Sequence, residues 1–368
     1  MLAALEPSPF PVISLYLDLR PNQHGRDDFD AFVRKVMPER AQGLPAESAE
    51  RESLERDAEK IRAYLDSDVT QAANGLVIFA CAGSDLFEAI QLGAPIEQHE
   101  LFVASVPHLY TLARLIGTYP RYAAVLLDTN KARIFVYGLA TTERTEQVTG
   151  VKTRRHAQGG WSQARYQRRI ENFHLHHVKE VIDTLDAVVR NEQIEHIVAA
   201  GPESGLKLLR DHLPAHLAAK LENVTKLDAS ASDAEVLRAT LDSLREKDAE
   251  TDAERVEELM NAWQGGGLGV AGPESTMHAL QMGQVEELII TATPDALKAV
   301  QRLPDDAAPG SLQADTSAPQ GPPDERKLKL SDELVTRAQQ TGARIRFIEN
   351  ADLLADIGGV GALLRFRI

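Results

Sequence analysis

Apolar residues fall in two rhythms along this chain. Unbroken runs rich in β-branched and aromatic residues, VISLYLDL at 12–19, NGLVIFAC at 74–81, RYAAVLLDT from 121, KARIFVYGL from 131 and HIVAAGP from 196, are too short for helices and predict buried strands. LFEAIQL at 86–92 adds a strand to the first group, and TERTEQVTG at 142–150 extends the hairpin of the second. Between these runs the spacing lengthens. Leu54, Ala58, Ile61 and Leu65 share one helix face, HLYTLARLIG at 108–117 reads as a short helix, and Tyr166, Ile170, Phe173, Val178, Ile182, Leu185 and Val189 form the stripe of a long one.

The last third repeats the alternation. Ser232 and Glu235 have capping-box spacing at the head of an acidic helix that ends near Trp263. EELIITA at 286–292 and ARIRFIE at 343–349 predict strands, SDELVTRAQQTG a helix stopped by Gly342, and GGVGALLRFRI a glycine-rich turn into a final strand. Helices alternating with strands predict an α/β fold. The boundaries fall into an N-terminal α/β domain at 1–120, a middle domain at 121–229 and a C-terminal α/β domain at 230–368. Pro304, Pro309, Pro319, Pro322 and Pro323 predict a mobile insertion near 302–326.

Composition narrows the setting. A length of 368 residues exceeds one ordinary core. No stretch approaches the roughly 20 apolar residues that span a bilayer. The start, MLAALEPSPFPVIS, has no basic segment followed by an apolar one and is not expected to be a secretory signal. Cys81, the single cysteine, excludes an intramolecular disulfide framework and a cysteine zinc cluster. A cytoplasmic protein is expected.

Charge changes the picture most. The chain carries 55 acidic against 40 basic side chains, a net charge of −15. Yet Lys152 to Lys179 holds seven Lys/Arg and one carboxylate, Glu171, whereas Ser232 to Met260 holds ten Asp/Glu against four Lys/Arg. The asymmetry matters more than the sum, because a local basic surface can dock on phosphate while acid elsewhere limits indiscriminate binding. At the centre of the basic run, RRHAQGGWSQARYQRRIENFHLHH, Gly159 and Gly160 permit left-handed conformations and close backbone approach. Arg154, Arg155 and His156 precede the glycines; Arg165, Arg168 and Arg169 follow on the first turns of the long helix. Such a loop can enter a phosphate-lined cavity while arginines hold its walls, and Trp161 can stack on a base. A solvated helix start with a flexible loop would carry the same charge.

Other candidates point to less. GLGVAG at 267–272 has dinucleotide-fingerprint spacing, but a helix precedes it where that site needs a strand. His174, His176 and His177 lack a known zinc spacing and are expected to extend the basic surface. Asp128 ends the first strand of the middle domain without a second carboxylate to share a metal, which disfavours metal-dependent RNA cleavage. No metal or cofactor is expected.

The run RRHAQGGWSQARYQRRIENFHLHHVKEV resembles the middle domain of the archaeal and eukaryotic peptide release factor and Pelota superfamily, which has a bacterial branch of Balon-like ribosome hibernation factors. In release factors the loop reads Gly-Gly-Gln, followed by Arg-Phe-x-Arg on the helix. Gly159 and Gly160 match the glycines, and Arg165-Tyr166-Gln167-Arg168 stands at the second motif. GARIRFIENADLLADIGGVGALLRFRI and STMHALQMGQVEELIIT resemble the third domain, VISLYLDL and NGLVIFAC the first. The resemblance implies a ribonuclease H-like middle domain and an L7Ae-like C-terminal domain. It also implies a factor that occupies the ribosomal A site for hibernation or rescue, its loop near the peptidyl-transferase centre. Its partners would be ribosomal RNA, the tRNA acceptor end and a translational GTPase, elongation factor Tu in the Balon-like branch. Trp161 replaces the release-factor glutamine and Gln163 lies two positions on, so peptidyl-tRNA hydrolysis through Gln163 is the alternative. The Asn-Ile-Lys-Ser element of stop-codon reading is absent.

Overall fold

A computed structural model describes residues 2–21, 28–128, 130–149, 163–298 and 323–366, with the backbone alone at 163–171 and 323–326. The proline-rich stretch from 302 to 322 lies outside the described residues. The chain forms two compact units, Met1–Thr118 with Thr251–Ile368, and Tyr119–Glu250.

The N-terminal part of the first unit contains β1 (Val12–Asp18), α1 (Phe29–Gln42), α2 (Ala49–Ser67), β2 (Gly75–Cys81), β3 (Leu86–Leu92), β4 (Glu100–Ala104) and α3 (Tyr110–Thr118). Its sheet is antiparallel, in the order β3-β2-β1-β4. Ile13, Leu15 and Leu17 face Val33, Met37, Leu54 and Ile61, while Tyr16 on the opposite face donates its hydroxyl to the His108 carbonyl at 2.6 Å. Burial on both faces explains the unbroken apolar run.

The second unit contains β5 (Tyr122–Leu127), β6 (Lys131–Gly138), β7 (Thr141–Thr149), α4 (Gln163–Asn191), β8 (His196–Gly201), α5 (Glu203–His212), α6 (Ala215–Ala218) and β9 (Leu221–Lys226), and takes the first part of α7 (Asp233–Gln264). Its strand order is β7-β6-β5-β8-β9, with β5, β6 and β7 antiparallel in turn and β5, β8 and β9 parallel, the ribonuclease H-like arrangement expected. Ala123, Val125, Ile134 and Val136 meet Val181, Leu185 and Val188 of α4; on the other face Tyr122, Phe135 and Tyr137 meet Val236 and Leu244 of α7.

The rest of α7 leads the C-terminal part of the first unit, β10 (Gly269–Ala271), α8 (Pro273–Gln281), β11 (Val285–Thr291), α9 (Pro323–Gln340), β12 (Arg344–Ile348) and β13 (Val360–Leu364). The sheet order is β10-β13-β11-β12, with β11 and β12 parallel. Glycines 267, 269 and 272 therefore sit between α7 and α8 with β10 inside the motif, unlike a dinucleotide turn. Within this unit the Asp332 carboxylate accepts the N–H groups of Leu109 and Tyr110 at 2.5 and 3.1 Å, capping α3, and the Tyr110 hydroxyl reaches the Thr291 carbonyl at 2.6 Å.

The fold is the mixed α/β architecture the sequence predicts, and the described strands form three sheets. Helices α1, α5, α6 and α8 and strands β4, β9 and β10 were not among the predicted elements.

Candidate nucleic-acid interface

The described part of the basic run, from Gln163 onward, belongs to α4 of the second unit. Because β6 runs against β5 and β7 against β6, while β8 and β9 follow β5, strands β5, β7, β8 and β9 all end on the same side. That carboxyl edge gathers Asp128, Lys131, Thr149, Gly201 and Lys226. In open α/β sheets it is the usual side for ligands. Gly201 is needed there: at φ +145° it passes so close to β5 that a Cβ would lie 2.2 Å from the Leu127 carbonyl oxygen.

In sequence, residues 150–162, which lie outside the described residues, join Thr149 at this edge to α4. The core-forming stretch of α4, Val178 to Val189, covers about 18 Å, and the 14 or so residues before His177 extend about 21 Å further at 1.5 Å per residue. None of Asn172 to His176 is buried. At the other end α4 is tied down. Glu192 takes Arg121 and Arg144 at 2.8 Å each, Arg121 also bonds Glu143 at 2.7 Å, and Arg144 bonds Glu146 at 2.7 Å. Hydrogen bonds from the two guanidinium groups hold the Glu192 carboxyl below its ordinary range. The cations at the foot of the helix are thus matched by carboxylates.

Of the residues predicted to meet RNA, Arg154, Arg155, His156, Gly159, Gly160 and Trp161 lie outside the described residues. Arg165, Arg168 and Arg169 fall on the first two turns of α4, which Gln163 opens. The histidines divide. His176 stays exposed, 3.4 Å from Glu180, but His177 is 2% exposed and neither ring nitrogen has a partner among the described residues. His177 therefore does not extend the basic surface. It lies four residues before Val181 and eight before Leu185, on the helix face that meets the sheet, and this spacing was readable in the sequence.

One feature of the edge was missed by sequence reasoning. A cleft of about 220 Å³ opens between the ends of β5, β6 and β7 and the segment before α7, lined by Asp128, Lys131, Arg133, Gln147, Thr149 and Ser230 among others. Arg133 bonds Asp233 at 2.6 Å and also the Ala231 carbonyl, which fixes the far wall. Among the described residues no group of His, Cys, Asp or Glu could hold a metal ion, and no helix is long and apolar enough to cross a membrane.

Residues 107–245 match the family model described as bacterial archaeo-eukaryotic release factor family 10, and residues 249–368 match eRF1 domain 3. Together the two matches fit the bacterial archaeo-eukaryotic release factor superfamily. The chain is 26% identical over 245 residues to peptide chain release factor subunit 1 of Methanopyrus kandleri, covering 63% of this chain and 59% of that protein. It thus spans less than two thirds of that relative. It is 24% identical over 340 residues to the same subunit of Thermoplasma acidophilum, covering 84% and 80%. A solved structure of ribosome-bound archaeal Pelota with ABCE1 aligns over 99% of this chain and 92% of that one, at 16% identity and a TM-score of 0.42. The first family match contains the whole carboxyl edge, the segment 150–162 and α4.

Proposed function

We propose that this protein is a ribosome-binding translation factor that occupies the A site and directs the segment around Gly159 and Gly160 towards the peptidyl-transferase centre, for hibernation or rescue. The observation that carries this reading is the double-glycine basic segment, which in sequence follows Thr149, at the carboxyl edge of the second unit's sheet, and falls inside the release-factor family match. Arg154, Arg155, His156 and Trp161 contact ribosomal RNA and the tRNA acceptor end, and Arg165, Arg168 and Arg169 hold phosphates along the first turns of α4. In this reading residues 121–229 enter the ribosomal centre. Residues 230–368 meet a translational GTPase, elongation factor Tu, and the protein works in the cytoplasm. Among the solved structures with which this chain aligns, one is ribosome-bound Pelota with ABCE1, and another is yeast Dom34, described as interacting with Hbs1.

Co-sedimentation of the full chain with purified ribosomes tests this. Replacing Arg165, Arg168 and Arg169 together by Glu should lower ribosome affinity by at least about a hundredfold, because three charge-assisted hydrogen bonds to phosphate disappear. Undiminished binding rejects the reading.

A second reading is favoured by the peptide release factors among the relatives, which suggest peptidyl-tRNA hydrolysis with Gln163 as the water-positioning group. Release of peptide from stalled complexes that disappears in Gln163→Ala supports it; equal release by both proteins removes it.

A further inference from the structure

The cleft on the carboxyl edge has no part in the loop reading. Its volume of about 220 Å³ lies below the roughly 300 Å³ at which whole small-molecule sites begin, so it suits one unit of a longer ligand. Its chemistry is mixed in a particular way. Lys131 and Thr149 are directly paired across β6 and β7, as are Arg133 and Gln147, so an ammonium, a hydroxyl and an amide share one rim. Lys131 forms no ion pair among the described residues. Beside Lys131 on the same cleft stands the half-buried Asp128 at the end of β5, its own N–H bonded to the Lys131 carbonyl at 2.8 Å. Arg133 is held by Asp233 and Ala231, so the walls are set before any ligand arrives.

A purely cationic notch would suit any phosphate. A carboxylate beside a lysine disfavours an isolated anion but accepts a hydroxyl donor, and the group that presents a phosphate beside a hydroxyl is a ribonucleotide, through its 2′-OH. We propose that this cleft is an RNA-backbone subsite, in which Lys131, Thr149 and Gln147 take one phosphate and Asp128 accepts the adjoining ribose 2′-OH. The phosphate contact fixes register and the hydroxyl contact selects RNA over DNA. Thr149 is also the last residue before segment 150–162, so a strand held in the cleft runs beside the root of the basic loop. The inference deepens the function proposed above and rests on RNA being the partner.

The test is fluorescence anisotropy of the full chain with a short labelled single-stranded RNA and the DNA of the same sequence. RNA should bind about tenfold more tightly than DNA, and Lys131→Glu should weaken both by about tenfold. Asp128→Ala should abolish the preference for RNA, and DNA should bind no more weakly than it does to the unaltered protein. Gln147→Ala, on an exposed edge strand where the fold does not depend on it, should weaken both severalfold. Equal RNA and DNA affinity in the unaltered protein, or RNA affinity unmoved by Lys131→Glu, overturns the proposal. Ribosome co-sedimentation separates the two ideas. If the Arg165, Arg168 and Arg169 variant loses ribosomes while Lys131→Glu keeps both ribosome and RNA binding, the cleft is wrong and the ribosomal reading stands. If the unaltered protein ignores ribosomes but still prefers RNA to DNA, with RNA binding that Lys131→Glu weakens, the cleft stands and the ribosomal reading falls.

Discussion

Glu287 is 4% exposed on β11, a place where a carboxylate survives ionised only with partners. It has two. Arg255 bonds one carboxylate oxygen through two guanidinium nitrogens, Arg346 bonds the other at 3.1 Å, and Arg346 is shared with Asp252 at 3.1 Å. Burial pushes the Glu287 carboxyl up, but the hydrogen bonds from Arg255 and Arg346 outweigh it and leave it below its ordinary range. A folded-state value below the unfolded one gives stability that is complete above the unfolded pKa, about 4.3, and is lost as pH falls through the lower folded value. Glu287→Gln should therefore cost about 3 kcal/mol at neutral pH, because it leaves two guanidinium groups short of a charge. It should also flatten the fall of the urea midpoint below about pH 4. A midpoint within experimental error of the unaltered protein at pH 7 would show that the cluster contributes no net stability. The arginine pair around Glu192 has similar geometry in open solvent, where removing one member should leave the midpoint in place.

At the scale of elements, α7 starts as its sequence predicts. The Glu235 carboxylate accepts the Ser232 N–H at 2.8 Å while the Ser232 hydroxyl accepts the Glu235 N–H at 3.3 Å, a reciprocal cap. Ser232→Ala should lower unfolding free energy by about 1 kcal/mol, read from urea denaturation of the full chain. Legibility followed burial. Strands β1, β2, β5, β8 and β11 are buried nearly throughout and show as apolar runs, whereas β9, LENVTK, is half-exposed at a sheet edge and has no alternation to find. Helix α1 hides behind Pro38, which reads as a helix breaker inside it. At the candidate site the sequence showed the charge and the glycines of the loop, because both are local. It did not show the cleft, whose lining comes from β5, β6, β7 and the residues before α7, and so depends on strand register.

For the whole molecule, the proposed RNA partner poses a charge problem, because the chain carries a net charge of −15. Part of the acid is neutralised internally: Asp252 and Glu287 are buried against Arg255 and Arg346, and Glu192 is held by Arg121 and Arg144. Most of α7's carboxylates still face solvent, so long-range forces oppose approach to RNA and short-range contacts at the carboxyl edge must carry binding. Salt should therefore act in two opposing ways. Screening of the distant acid favours association, while counterion release at each phosphate makes added salt weaken it. Removing the cation that neutralises one phosphate should reduce the slope of log affinity against log salt by about 0.7 for single-stranded RNA. Replacing Arg165, Arg168 and Arg169 by Glu should thus flatten the slope by roughly 2, and adding Lys131→Glu should remove about 0.7 more. A steep slope that survives all four changes would place the phosphate-binding cations elsewhere on the molecule and leave the carboxyl edge without its electrostatic role.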